Sequence, residues 1–261
     1  MLKMQEEQAV KLSSYETRFR LIENELRKPS FRRFSYRHPA IICVGGIKGR
    51  TGYLASTEVY VPGHATYNKL LTCQLERARC GHVAALHNDR LIYITGGHDG
   101  RNDLKSSRDL DSSTLTWYLA PPMSVERDHA VGVCHQDKLF MFGGSGLRSS
   151  EVFDLNAWKW TQFKQLPHSR QDHCAVELNG TVYLIGGLVD DRISTDVSEV
   201  DLATQVISQP ARLRLNQPIT YASAAALESS VYVTGGWSDG VLDFCQRMDP
   251  REGEWTTVIL L

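Results

Sequence analysis

The sequence has 261 residues, of which 42% are hydrophobic and 23% charged, with a formal net charge of −1. A chain of this length buries a substantial core, as one large or two ordinary domains, and its near-neutral charge gives no electrostatic case for binding nucleic acid or an anionic membrane. Its apolar runs are shorter than the roughly 20 residues of a spanning helix, and its charged N-terminus lacks the apolar stretch of a secretory signal. We expect a protein of the cytoplasm or nucleus.

Residues 1–27 carry apolar side chains at roughly helical spacing with many charges between them, which predicts a short helical segment. Residues 28–39, KPSFRRFSYRHP, are basic and bracketed by prolines. A basic stretch can serve nuclear import or phosphate binding, but this one is short and interrupted, and a solvated linker is the favoured interpretation. Residues 40–261 have a different pattern and are predicted to form one domain.

Five apolar runs in that domain each end in two consecutive glycines. The first glycines of the pairs are 51, 47, 43 and 49 residues apart, which indicates an internal repeat. We expect the glycines to let the backbone turn sharply, at positive φ and in close approach to a neighbouring element. The predicted structural glycines are Gly45, Gly46, Gly96, Gly97, Gly143, Gly144, Gly186, Gly187, Gly235 and Gly236.

Each repeat follows one order of elements. A first strand such as HAVGVCH leads through a turn to the apolar run, and then a polar loop, an acidic or aromatic strand and a strand with tryptophan follow. The tryptophans are Trp117, Trp158 or Trp160, and Trp255, and we expect them to wedge between neighbouring sheets. Short strands separated by turns and repeating near 50 residues predict an all-β fold, a β-propeller.

Smaller features agree with this fold. The six cysteines have no CxxC spacing, so structural thiols are favoured over a zinc site. The sequence Asn179-Gly180-Thr181 matches a glycosylation acceptor, but Asn-Gly between two apolar runs predicts a two-residue hairpin turn.

These residues resemble the kelch repeat, most closely the kelch domain of kelch-like proteins. Residues 91–133 match nearly every step, including the turn with Pro121, Pro122 and Met123 before Arg127. The resemblance covers about residues 41–261 and implies a kelch-type β-propeller. Two repeats depart from the pattern, because the first has Tyr67 near the tryptophan position and the fourth has no tryptophan in residues 204–209.

The resemblance also implies a ring of six blades, whereas five diglycine strands are present. Kelch propellers usually close when a C-terminal segment supplies the missing inner strand of the first blade, and no residues remain here for that role. Two interpretations stay open: the chain forms five blades of an incomplete six-bladed ring, or FRRFSY (31–36) closes the ring from the other end.

Antiparallel strands bring two sets of loops to one face of such a ring: those after each diglycine and those before each first strand. In kelch-like proteins this face binds a short, often acidic peptide of a partner, so arginines there are expected to pair carboxylates. The predicted partner-binding residues are Arg79, His82, His98, Asp99, Arg101, Asn102, Arg127, His129, Arg170, His173, Tyr221, Trp237 and Asp239.

Each group has a structural alternative. Arg79, Arg127 and Arg170 recur at matched positions and would equally tie blades together. His82, His129 and His173 belong to different repeats, too far apart to bind one metal ion. Trp237, directly after a diglycine, is the favoured exposed contact. Phosphate-loop and HExxH motifs are absent from the sequence, so we expect no enzyme and no cofactor.

The resemblance implies a non-catalytic protein-binding module, similar to the substrate-recognition part of a cullin–RING ubiquitin ligase adaptor. Such adaptors carry BTB and BACK domains, and residues 1–27 are short enough to be at most a remnant of BACK. If the chain is complete, it is not expected to recruit a cullin alone. The alternative is an actin-binding or scaffolding kelch protein.

Overall fold

The computed structural model describes residues 41–49, 52–60, 67–69 and 73–258. Apart from one 3₁₀ turn, Ala211–Leu213, the regular structure of these residues is β-strand, which confirms the all-β prediction. The predicted helical segment (1–27), linker (28–39) and closing strand (31–36) lie outside the described residues.

The strands form five successive antiparallel sheets with short hairpins in the loops between them. In chain order the strands are β1 (Ile41–Val44), β2 (Ile47–Lys48), β3 (Gly52–Tyr53), β4 (Thr57–Tyr60), β5 (Tyr67–Lys69), β6 (Val83–His87), β7 (Leu91–Thr95), β8 (Ser107–Asp111), β9 (Thr116–Ala120), β10 (Val131–His135), β11 (Lys138–Phe142), β12 (Ser150–Asp154), β13 (Lys159–Gln162), β14 (Arg170–Gln171), β15 (Cys174–Leu178), β16 (Thr181–Ile185), β17 (Leu188–Val189), β18 (Arg192–Ile193), β19 (Val197–Asp201), β20 (Ile207–Ser208), β21 (Ser223–Leu227), β22 (Ser230–Thr234), β23 (Cys245–Met248) and β24 (Trp255–Val258).

The second to fifth sheets have four strands each, in the orders β6-β7-β8-β9, β10-β11-β12-β13, β15-β16-β19-β20 and β21-β22-β23-β24. The first sheet has three described strands, β1-β4-β5. The first strands of neighbouring sheets, β6, β10, β15 and β21, lie side by side. The sheets are therefore the blades of a kelch-type propeller, arranged around a common axis as predicted.

The second strands of the inner blades are covered on both faces because each lies between two neighbouring blades. In β11, four of five residues are buried, and in β16 likewise. This position explains continuous apolar runs such as LFMF and VYLI, whereas a half-exposed strand would alternate. One hydrophobic cluster fills each space between neighbouring blades.

The tryptophans join these clusters as predicted. The indole N–H of Trp160 donates to the carbonyl of Pro121 at 2.8 Å, and that of Trp255 donates to Leu213 at 2.8 Å. In the first interface Trp117 reaches the carbonyl of Cys73 at 3.5 Å. Trp160 is thus the wedge of the third blade. The fourth blade, which lacks a tryptophan, places Ile207 against the cluster instead.

The diglycines behave as predicted, since all ten have positive φ. Gly186 shows the reason most clearly: a Cβ added there would lie 2.6 Å from the carbonyl oxygen of Ile219, in the next blade. Gly235, the matched residue of the last blade, has nearly the same φ, but the nearest atom to its added Cβ is 3.8 Å away. The close approach therefore arises from the neighbouring blade. Asn179 and Gly180 both have positive φ, which confirms the predicted hairpin turn.

Within the described residues, the sheet faces at both ends of the row of blades are partly exposed. On β22, Tyr232 occupies the position that Tyr183 holds on β16, yet Tyr183 is buried and Tyr232 only partly so. Leu227 beside it is 62% exposed. At the other end, Ile41 and Cys43 are exposed on the side of β1 opposite to Ile42, which packs toward the second blade. The incomplete ring of five blades and closure by residues 31–36 both stay predictions.

Candidate functional site

The loops after each diglycine meet the segments before each first strand, as predicted. Backbone N–H groups of the second glycines donate across the blade boundaries: Gly97 to Arg127 at 2.7 Å, Gly144 to Arg170 at 2.9 Å and Gly187 to Ile219 at 2.7 Å. His98 and Cys80 exchange two backbone hydrogen bonds in the second blade. These two sets of connections form one surface of the propeller, which we call the loop face.

The three repeated arginines are buried beneath the loop face and bind their own blades. Arg79 donates to the carbonyl of Gly96 at 3.0 Å, Arg127 to that of Gly143 at 2.7 Å and Arg170 to that of Leu184 at 2.8 Å. All three are at most 2% exposed, and burial lowers the pKa of Arg79 and Arg170 to about 10, so both stay charged at neutral pH. The prediction that these side chains pair a partner's carboxylates is wrong, and their structural alternative holds.

Arg127 has an additional partner, because Glu151 lies 3.0 Å from its guanidinium in the same buried space. The second carboxylate oxygen of Glu151 accepts a hydrogen bond from the N–H of Ser124 at 2.8 Å. In the fifth blade Ile219 replaces the arginine and packs in the apolar cluster between the fourth and fifth blades. The matched position of the repeat is thus filled by a hydrogen-bonded arginine in one blade and by a packed isoleucine in another.

Two of the predicted histidines are structural as well. His173 is buried against the diglycine turns, and both its ring nitrogens lack a hydrogen-bond partner within the described structure. Burial, and then the charge of Arg170, hold its pKa well below the usual value. His82, which lies against Gly45, has its pKa lowered to about 4 by burial and the charge of Arg79. The neutral rings fill space between blades, so His173 is corrected to a buried residue.

A matched position two residues after the arginine was missed by sequence reasoning. Gly81, His129, Asp172 and Tyr221 occupy it in successive blades, and all four have φ between 54° and 61°. The N–H of His129 donates to Gly81 at 3.0 Å, that of Asp172 to His129 at 3.1 Å and that of Tyr221 to Asp172 at 3.0 Å. A chain of backbone hydrogen bonds therefore runs from blade to blade around the axis. Glycine and aspartate at this position are compatible with a predicted positive φ, but histidine and tyrosine do not indicate one.

This chain places an ionisable cluster at the axis. His129 Nδ1 lies 2.5 Å from Asp172 Oδ1, and its Nε2 lies 3.3 Å from Asp128 Oδ2. The hydrogen bond to Asp172 raises the pKa of His129, with the nearby charges of Asp172, Asp128 and Asp103 acting in the same direction. Burial raises the pKa of Asp128. Tyr221 meets the His129 ring edge-on, with centroids 6.4 Å apart.

The loop after Gly97 is shaped by its own side chains. Asp99 accepts hydrogen bonds from the N–H groups of Arg101 and Asn102 at 2.9 and 2.8 Å and forms an ion pair with Arg77. These bonds hold the pKa of Asp99 below its usual range. His98 Nδ1 accepts from the N–H of Gly100 at 2.9 Å. Asp99 therefore fixes the loop, while Arg101 and Asn102 are left exposed.

The fifth blade presents the apolar part of the loop face. Trp237 and Thr220 exchange backbone hydrogen bonds at 2.8 and 2.9 Å, which places Trp237 beside Tyr221. Trp237 is 43% exposed, Tyr221 60% and Val241 90%, and Asp239 lies exposed in the same loop. Large apolar side chains grouped in this way on a surface mark interaction sites. The exposed setting predicted for Trp237 and Tyr221 is present, and Val241 is an addition that sequence reasoning missed.

The described part of the chain contains no helix long and apolar enough to span a membrane. Within the same ranges, no three His, Cys, Asp or Glu side chains are grouped so that they could hold a metal ion.

The fold and the surface thus define the class of protein: a propeller of antiparallel blades with an exposed, partly apolar loop face. Residues 121–260 match the family model described as the KLHDC2/KLHL20/DRC7 Kelch-repeats domain, and residues 78–124 match the Kelch motif. The chain belongs to the kelch-repeat family, a family of protein-interaction domains.

Two relatives illustrate the similarity. The chain is 26% identical to the Kelch repeat and BTB domain-containing protein 1 of Camelpox virus over 195 residues, which cover 69% of this chain and 34% of the relative. It is 25% identical to Kelch-like protein 41a of Danio rerio over 199 residues, which cover 71% of this chain and 33% of the relative. The matched part of the chain spans about a third of the length of these relatives.

Proposed function

We propose that this protein is a non-catalytic protein-binding module that holds a segment of a partner on its loop face. The observation that carries this proposal is the group of exposed large side chains Tyr221, Trp237 and Val241 on a kelch propeller. Aromatic residues dominate the free energy of many protein interfaces because they bury a large area with few rotatable bonds. Backbone hydrogen bonds fix Trp237 against Thr220, so binding loses little backbone freedom there.

The relatives support a more specific role. One of them has a BTB domain in its name and another is a kelch-like protein, and kelch domains of that type resemble the substrate-recognition part of cullin–RING ligase adaptors. We assign this chain the same recognition role, within a longer form that supplies a BTB domain. Cullin should co-purify with that longer form and not with the 261-residue chain; cullin recovered equally with both would overturn the division of roles.

The binding proposal is tested by proximity labelling with the full chain to find partners, followed by affinity measurement with each purified partner. Trp237→Ala and Val241→Ser should weaken the complex, whereas Val206→Ser should not. Val206 is a suitable control because it is 57% exposed in the turn between β19 and β20, at the opposite end of the blades from the loop face. Equal affinity of all three variants and the wild type would show that the loop face is not the binding surface.

A further inference from the structure

The apolar part of the loop face lies beside carboxylates. The loop 237–243, WSDGVLD, contains Asp239 and Asp243 and no lysine or arginine, and both aspartates are exposed. Next to it, Tyr221 donates its backbone N–H to the carbonyl of Asp172 at 3.0 Å. The loop that carries Trp237 and Val241 therefore also carries the exposed Asp239 and Asp243, and Tyr221 is joined to Asp172.

The axial side of this surface is acidic too. The charged groups that act on His129 are Asp172, Asp128 and Asp103, and those that act on Tyr221 are Asp172 and Asp128. His98 is the other basic group that acts on Asp128. The electrostatic neighbours of the axial cluster are thus carboxylates and imidazoles, and a cationic side chain would find complementary charge there.

The three repeated arginines are not available to an acidic partner. Arg79, Arg127 and Arg170 are buried, and their guanidinium groups already donate to carbonyl oxygens of the propeller. Releasing one of them to a partner would leave buried carbonyl groups without a donor, which destabilises the folded protein. An acidic peptide would also meet like charge at the exposed Asp239.

We infer that the loop face binds a peptide segment in which a large apolar side chain lies close to a lysine or arginine. This inference rests on the proposed function and specifies the chemistry of the partner. The apolar side chain packs on Trp237, Tyr221 and Val241. The exposed Asp239 attracts the cation from the loop, and the negative charges of Asp172 and Asp128 at the axis act in the same direction. Arginine suits this surface best, because its planar group stacks on an aromatic ring while it donates to a carboxylate.

The inference is tested with immobilised synthetic peptide libraries and the full chain. One library carries Phe, Leu or Trp within three residues of Lys or Arg. A second replaces the cation by Glu, and a third replaces the apolar residue by Ser. We expect selective retention on the first library. For a peptide selected from it, Trp237→Ala should lower the affinity about tenfold or more, the loss typical of a central aromatic contact.

A charge reversal tests the cationic part separately. Asp239→Lys should weaken the selected peptide several-fold, whereas Glu252→Lys, at the opposite end of the same blade, should leave the affinity unchanged. Circular dichroism checks that each variant is folded. If Trp237→Ala does not fold, Val241→Ser tests the apolar contact in its place. Binding should also strengthen as the pH rises above 6.5, since the loss of the His129 proton frees Asp172 for the partner.

The outcomes separate this inference from the proposed function. Retention on the Glu library, lost in Trp237→Ala, would overturn the cationic chemistry and leave the binding face in place. Retention that is unchanged in both Trp237→Ala and Val241→Ser would overturn the inference together with its location. If no library is retained and the partners from proximity labelling bind all loop-face variants like the wild type, the proposed function itself fails.

Discussion

Gly97 donates its backbone N–H to the carbonyl of Arg127 at 2.7 Å, across the boundary between the second and third blades. The side chain of the same arginine then donates to Gly143, where the second strand of its own blade ends. One residue thus joins the glycine turns of two successive blades. This relationship accounts for the repeated pairing of a diglycine with a downstream arginine, and it makes both residues structural.

The diglycine turns give a matched pair of substitutions. Gly186→Ala and Gly235→Ala impose the same backbone strain, since the φ values are +62° and +63°. Only Gly186 has a carbonyl oxygen of the next blade within 2.6 Å of the new methyl group. We expect Gly186→Ala to lower the free energy of unfolding by about 1–3 kcal/mol more than Gly235→Ala. Urea denaturation of both variants measures the difference, and equal losses would contradict the close approach.

Because the repeated arginines are buried and hydrogen-bonded to their own blades, we expect their substitution to lower stability and not to weaken binding directly. Arg127→Met leaves Glu151 buried without its cation, which should cost about 3–5 kcal/mol. Arg101→Ala, at an exposed position of the same face, should change the free energy of unfolding by no more than about 0.5 kcal/mol. An Arg127→Met protein that is as stable as the wild type but binds its partner poorly would restore the partner-binding interpretation of this arginine.

The histidines predict two opposite responses to pH. The pKa of His129 is raised, so its contribution to stability is present below about pH 6.5 and is lost as the pH rises through the folded-state value. His82 has its pKa lowered to about 4, so folding is opposed as the pH falls from about 6.5 toward 4. His129→Gln should remove the loss of stability above about pH 6.5 and leave the loss of stability between about pH 6.5 and 4. Thermal denaturation at intervals from pH 4 to 8 checks this, and an unchanged loss of stability at the higher pH would contradict the role of His129.

The uncovered end of the fifth blade has its own test. Tyr183 and Tyr232 hold matched positions, but Tyr183 is buried at the interface with the fifth blade. Tyr183→Ala should cost about 3–5 kcal/mol, as for other buried aromatic side chains, and Tyr232→Ala clearly less. Denaturation of the two variants measures both values at one protein concentration. Equal costs would show that another segment or a second copy of the chain covers the fifth blade in solution.

Much of the fold follows from the sequence because its signals are local and repeated. The apolar run LFMF identifies a doubly covered strand, and Gly143-Gly144 after it identifies the sharp exit. Trp160 could not be distinguished from Trp158 by sequence, since both lie near the start of the same short strand. The choice depends on the distance to Pro121 in the preceding connection, which is a tertiary property.

Less of the site could be predicted, because exposure depends on how the blades assemble. Arg127 and Arg101 look equally suited to bind a carboxylate in the sequence, but one is buried by the neighbouring blade and the other is in solvent. The pairing of His129 with Asp172 joins residues of different blades. Val241 belongs to the surface because the loop 237–243 forms a turn that pairs Val241 with Trp237 and Trp237 with Thr220. This pairing is not evident from the sequence.

The measurement that tests the account most directly is hydrogen–deuterium exchange of the full chain with and without a partner found by proximity labelling. We expect added protection in residues 237–243 and around residues 128–129 and 172, on the loop face. Protection confined to the turns at the opposite end of the blades, such as residues 202–206, would contradict the assignment of the loop face as the binding surface.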